Sequence, residues 1–295
     1  MRRYLAEFLA AFTIVFLAAG AIVADLQLSV VLVRDSFGPL GVALAYGLGY
    51  AIALAAVGKF SGGHANPAVT IAYYIARRIS IQEAAAYVGA QLLGALFAGL
   101  VVARTFPRDA VEFVSAGVPA LGPGTSLLKG GFVEVILTFI LVFVIWRVIV
   151  DAEDWSPRAP LIIGLTVVAC VLVGAPLTGG AMNPARWFGP ALVSGQFSNW
   201  LVWVMGPIVG ALMASALYEI VFLERPGPVS PPEAHPAPSR EADRKTTTAE
   251  ITGEPSSTSS RVAEGGSAAS PAAHAAADEE QPPTRAQGSE EEEEE

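Results

Sequence analysis

Ser61-Gly62-Gly63-His64-Ala65-Asn66-Pro67-Ala68-Val69 and Thr178-Gly179-Gly180-Ala181-Met182-Asn183-Pro184-Ala185-Arg186 are two versions of one phrase. In each, a Gly-Gly pair leads to Asn-Pro-Ala and then to a short apolar stretch. Asn followed by Pro is a helix start. Asn caps free backbone N–H groups, and Pro fits the first turn because its missing N–H needs no partner there. Both starts lie in a chain that otherwise reads as membrane-spanning. Irregular backbone at membrane depth survives only where protein surrounds it or where it lines a polar cavity. Two such starts predict a cavity into which both helices open.

Six stretches reach or approach the roughly 20 apolar residues that a spanning helix needs. They are residues 5–24, 38–57, 84–103, 132–150, 160–173 and 200–222. The fifth is short unless it runs on toward Pro176. Residues 66–76 and 183–193 are only half a span each, follow the two Gly-rich loops, and read as re-entrant half-helices. The order span, span, half-helix, span therefore occurs twice. Glu7-Phe8-Leu9-Ala10-Ala11-Phe12 aligns with Glu134-Val135-Ile136-Leu137-Thr138-Phe139, and 90–96 aligns with 206–212. With three spans per half, the second half must be inverted relative to the first, an arrangement found in transporters and channels. The expected fold is all-α: six transmembrane helices plus two re-entrant half-helices in an inverted repeat, with halves at about 1–110 and 125–225.

Charge divides the chain at the same boundary. Residues 226–295 hold 5 of the 18 basic and 15 of the 27 acidic residues, so the net charge of −9 belongs to this segment. With few apolar residues to offset ordering entropy, and six terminal glutamates that repel one another, it is expected to be a disordered acidic tail. Residues 1–225 form the channel-like domain. No basic stripe points to nucleic acid. The single cysteine, Cys170, excludes an intrachain disulfide and reads as a small core residue. Residues 1–24 lack a clear small-residue cleavage site and read as a retained first span. Loop lysines and arginines favour a cytoplasmic N-terminus: Arg2, Arg3, Lys59, Arg77, Arg78, Arg147, Arg158 and Arg225 fall inside, against Arg34, Arg104, Arg108 and Lys129 outside. Six spans return the C-terminus to the cytoplasm as well. Rows of small residues (Ala90, Gly94, Ala98; Gly206, Gly210, Ala214) read as close helix packing.

Half-helices entering from opposite faces bring two N-termini together near the bilayer centre. Each carries about half a positive charge from aligned peptide dipoles, so the pair repels cations, hydronium included. Asn66 and Asn183 supply amide donors there, suited to the oxygen of a neutral molecule. The carbonyls of Gly62, Gly63, His64, Gly179, Gly180 and Ala181 supply acceptors along a single-file path.

The sequence resembles the major intrinsic protein family, the aquaporins and aquaglyceroporins, over about residues 1–225. The resemblance rests on 61–70, on 179–186 with Arg after the second motif, and on a Glu in the first and fourth spans. It implies an aquaporin-like homotetramer in the lipid bilayer, one pore per subunit, passive permeation and no cofactor. It assigns Asn66, Pro67, Ala68, Asn183, Pro184 and Ala185 to the paired pore motifs, and a selectivity constriction to Tyr46, Val171, Gly180 and Arg186. It gives Glu7 and Glu134 the support of the re-entrant loops. Water-selective relatives usually carry His where Val171 stands. Glycerol channels usually carry Asp where Trp187 stands and a base where Ala191 stands. The gap is then wider than in a strict water pore, without the flanks of a typical glycerol facilitator.

The expected function is a passive channel for water and some small neutral solutes, glycerol-like, that excludes protons and ions, in the cell membrane. The alternatives are a glycerol or small-solute facilitator with little water transport, a secondary transporter, and a membrane-junction protein. No catalytic constellation or metal-ligand spacing appears, so no enzyme is expected. A charge at membrane depth is costly, which marks Arg186 as functional; Glu7 and Glu134 are read as structural acceptors rather than a proton relay. Histidine as a residue type has the intrinsic pKa of a pH sensor, which makes gating by His64 the alternative reading, but a loop histidine is more often fixed by hydrogen bonds.

Overall fold

The computed structural model describes residues 1–31, 35–152 and 155–223. The expectation of a disordered tail over 226–295 lies outside the described residues, as do Arg34 and Arg225 of the loop-charge count. Among the described residues the secondary structure is entirely helical: α1 (Arg2–Leu26), α2 (Gly38–Ser61), α3 (Pro67–Ile75), α4 (Ile81–Thr105), α5 (Arg108–Phe113), α6 (Leu127–Ile145), α7 (Ala159–Thr178), α8 (Pro184–Ser194) and α9 (Leu201–Val221). Six are long and apolar enough to cross a membrane, and α3 and α8 are the half-helices. The fifth span continues through Pro176 to Thr178. Proline so close to the end of a helix sacrifices little of the hydrogen-bond ladder. The short α5, in the loop after α4, is not among the elements expected from sequence.

The two halves repeat in local detail. The first span of each half ends in a π-helical turn, Gln27–Val31 after α1 and Trp146–Val150 after α6. The second span of each ends on a left-handed glycine, Gly62 after α2 and Gly179 after α7. Within each half the first span packs on the second and the last, α1 on α2 and α4, α6 on α7 and α9. Between halves, α2 packs on α7, α4 on α8 and α3 on α9.

Lipid gives no hydrophobic drive for helices to associate, so close backbone approach and dispersion must do it. Gly47 and Gly164 face each other across α2 and α7: a Cβ on either would strike the other's carbonyl oxygen. A Cβ on Gly94 would strike the Phe8 carbonyl of α1, and one on the equivalent Gly210 would strike the Val135 carbonyl of α6. Leu48, Ile52, Leu93, Phe97, Ile136, Ile140, Leu165 and Met213 stay exposed on the spans, as lipid-facing side chains should. The core between the halves is closed by Trp146, Tyr46, Tyr50, Leu54, Ile163 and Met182, all nearly inaccessible.

Candidate functional site

The two Asn-Pro-Ala motifs are built alike. Asn66 (φ −155°) and Asn183 (φ −153°) are extended caps, and their Oδ1 atoms accept from Ala68 N at 2.9 Å and Ala185 N at 3.0 Å. Proline follows each cap at the first helical position. The loops before them match residue for residue: Gly62 and Gly179 lie at φ +88° and +80°, Gly63 and Gly180 at +68° and +58°, Ala65 and Met182 at +52° and +51°. Ala65 and Met182 occupy a left-handed conformation that costs a non-glycine residue about 1–2 kcal/mol.

Two buried carboxylates offset that strain. Glu7 accepts from His64 N at 3.1 Å and Ala65 N at 2.7 Å; Glu134 accepts from Ala181 N at 2.9 Å and Met182 N at 2.7 Å. Each takes a further donor: Gln91 Nε2 to Glu7 at 2.6 Å, and Thr178 Oγ1 to Glu134 at 2.6 Å. Both glutamates are fully buried. A buried carboxylate is tolerated when its lone pairs are filled in this way.

The half-helix N-termini abut through their caps. Asn66 Nδ2 donates to Met182 O of the other half at 2.8 Å, and Asn183 Nδ2 donates to Ala65 O at 3.1 Å. From sequence, the two amides are expected to donate to a passing oxygen. In the structure both approach the Tyr50 hydroxyl, Asn66 Nδ2 at 3.3 Å and Asn183 Nδ2 at 3.1 Å. Tyr50 lies one helical turn after Tyr46 on α2, and only that spacing marks it in the sequence.

The four residues expected to form the constriction come together in pairs. Arg186 Cζ sits 5.8 Å from the centroid of the Tyr46 ring, a cation–π distance. A Cβ on Gly180 would lie 3.3 Å from Val171 Cα, so these two are in contact. Tyr46 donates its hydroxyl to the Ala181 carbonyl, which joins α2 to the second loop. Arg186 is 2 % exposed, and its Nη1 donates to Gly117 O at 2.8 Å. Among the described residues no carboxylate lies within ion-pair distance of it. Gly117 was not a sequence candidate; it belongs to a short turn that packs on α1 and α8.

Of the expected pore carbonyls, Ala181 O is engaged by Tyr46. Among the described residues no protein donor reaches those of Gly62, Gly63, His64, Gly179 or Gly180. His64 is buried, its Nδ1 3.1 Å from Thr70 Oγ1 and its ring 4.1 Å from that of Tyr73. Thr70 also accepts from Gln91 Nε2 at 2.9 Å, so histidine, threonine, glutamine and Glu7 form one fixed cluster beneath the first loop. Trp187 packs with Ala181, Ala191, Val202 and Trp203. No group of three or more metal-ligating side chains occurs among the described residues.

Comparison with known proteins agrees with this architecture. The family model described as Major intrinsic protein matches residues 1–218. Aquaporin TIP4-4 of Zea mays is 39% identical over 231 residues, 77% of this chain and 89% of its own. Probable aquaporin TIP3-2 of Arabidopsis thaliana is 42% identical over 233 residues, 76% and 84% of the two chains. Among solved structures, the aquaglyceroporin from Plasmodium falciparum superposes with a TM-score of 0.65 at 27% identity, covering 75% of this chain and 96% of that one. The six spans, the paired half-helices and these likenesses together establish that the chain is a multi-pass membrane protein of the major intrinsic protein family, the aquaporin channels.

Proposed function

We propose that the protein is a passive pore for water and some small neutral solutes of the glycerol type, closed to protons and ions. The observation that carries this reading is the abutment of two half-helix N-termini through Asn66 and Asn183. Their dipoles add a positive potential at the one point every permeant must cross, and Arg186 adds a full charge nearby. A neutral molecule with an acceptor oxygen pays no penalty there. The free carbonyls of Gly62, Gly63, His64, Gly179 and Gly180 offer it acceptors on the way. Glu7 and Glu134 have their oxygens filled by loop N–H groups and by Gln91 and Thr178, which argues against a coupling-ion site and hence against a secondary transporter.

Solute choice rests on Tyr46, Val171, Gly180 and Arg186. Val171 and Gly180 present little bulk and no polar side chain, and favour admission of solutes larger than water. A homotetramer with one pore per subunit, cytoplasmic termini and residence in the cell membrane complete the reading. The test is osmotic water, glycerol and urea flux in proteoliposomes, measured side by side by stopped-flow light scattering. Water and glycerol fluxes above protein-free vesicles support it; glycerol alone indicates a solute facilitator; saturable flux driven by an ion gradient indicates a transporter.

A further inference from the structure

We propose that Tyr50 sets the rate and solute selectivity of this pore by competing with the passing oxygen for the two motif amides. The proposal rests on the channel reading above. It starts from a coincidence of geometry: one hydroxyl lies within 3.3 Å of Asn66 Nδ2 and within 3.1 Å of Asn183 Nδ2. The other hydrogen of each amide is already spent on Met182 O or Ala65 O. The Tyr50 oxygen therefore stands where a permeant oxygen must bind to use both amides.

A tyrosine hydroxyl has two lone pairs and one proton. Both pairs face amide donors here. Among the described residues the proton has no acceptor, because the only bonds made by this hydroxyl are the two it accepts. Tyr50 thus replaces two donors by a single one where the two motifs meet. A permeant must either displace the hydroxyl and take both amides, or accept the one proton offered.

The position of the ring makes displacement a demand on shape as well. Tyr50 is 1 % exposed, and its ring centroid lies 5.7 Å from that of Tyr46. Tyr46 is tied to Ala181 O of the second loop, so one face of α2 places two phenols in succession, one fixed and one bonded to the caps. Water needs only the hydroxyl to shift. A three-carbon solute needs the ring to move, and the tethered Tyr46 limits where it can go. Tyr50 consequently slows every permeant and slows large ones more.

The experiment compares wild type, Tyr50→Phe and Tyr50→Leu in proteoliposomes, with water and glycerol fluxes scaled to inserted protein and thermal melting measured in detergent. Tyr50→Phe keeps the ring and frees the amides. It is expected to raise water flux about five-fold, the ratio corresponding to one net neutral hydrogen bond, with a smaller gain for glycerol. Tyr50→Leu also removes the ring and is expected to raise both, glycerol more than water. Equal or lower water flux in both variants overturns the proposal, because a tyrosine that merely anchors the two asparagines gives that result. If Tyr50→Phe does not insert, Tyr50→Leu carries the test; failure of both to insert establishes the anchoring role and overturns it too. Flux in wild type without a gain in the variants rejects this proposal alone. Absence of flux in all three rejects the channel reading and this proposal with it.

Discussion

Glu7 and Glu134 perform the same task in opposite halves of the molecule. Each is buried in the first span of its half and holds two successive backbone N–H groups of that half's re-entrant loop, His64 and Ala65 or Ala181 and Met182. The second residue of each pair has a positive φ, and the carboxylate bond to its N–H helps to hold it there. The loops in turn place Asn66 and Asn183 against each other. The pore chemistry thus depends on two carboxylates that belong to its foundations.

Replacing Glu134 by Ala is therefore expected to act on folding before it acts on flux. It orphans Ala181 N and Met182 N, each at a cost of about 1–3 kcal/mol for an unpaired buried group, and leaves the Thr178 hydroxyl only its long bond to Gly174 O. Glu134→Gln retains one acceptor oxygen and loses less. Thermal melting in detergent should rank wild type above Glu134→Gln above Glu134→Ala, with the same order at Glu7.

At Gly180 a methyl group meets two obstacles. The backbone sits at φ +58°, and the new Cβ would lie 3.3 Å from Val171 Cα. The conformational strain alone is of order 1–3 kcal/mol. Because the methyl also enters the expected constriction, Gly180→Ala should depress glycerol flux more than water flux. Equal loss of both would place the constriction elsewhere.

Arg186→Val removes the buried charge beside Tyr46 and frees Gly117 O. Water flux should persist or rise, while the barrier to cations falls. Proton leak into vesicles loaded with a pH-sensitive dye is the measurement. An unchanged leak would leave the half-helix dipoles as the sufficient barrier.

Glycines on the spans divide by what lies opposite them. Gly94→Val drives a side chain into the Phe8 carbonyl and Gly210→Val into that of Val135, so both should abolish folded protein. Gly89→Val and Gly131→Val, with nothing within 4 Å, should be tolerated, since valine is also the better helix former of the two. Monodisperse yield on size exclusion separates the two classes.

Much of this was legible in the sequence because membrane helices must satisfy their own backbone and announce themselves by apolar length. The half-helices were visible from Asn-Pro starts and their half-span length, and the repeat from Glu7 and Glu134 in matching phrases. The end of the fifth span was obscured by Pro176, which reads as a stop although α7 continues to Thr178. The α5 helix has too few residues for a periodic pattern. Tyr50 escaped notice for a different reason: its partner Asn183 is 133 residues away, and a tyrosine on an apolar span looks like packing until the other half is folded against it. Gln91 and Gly117 were invisible in the same way, since Glu7 and Arg186 reach them only in three dimensions.

The most direct measurement is the osmotic shrinkage of proteoliposomes that carry the wild-type chain, followed by stopped-flow light scattering as the protein-to-lipid ratio rises. A neutral-solute pore predicts a rate that climbs in proportion to inserted protein, with an activation energy below that of bare lipid and no accompanying proton leak. A rate indistinguishable from protein-free vesicles at every ratio, with insertion verified, would contradict it.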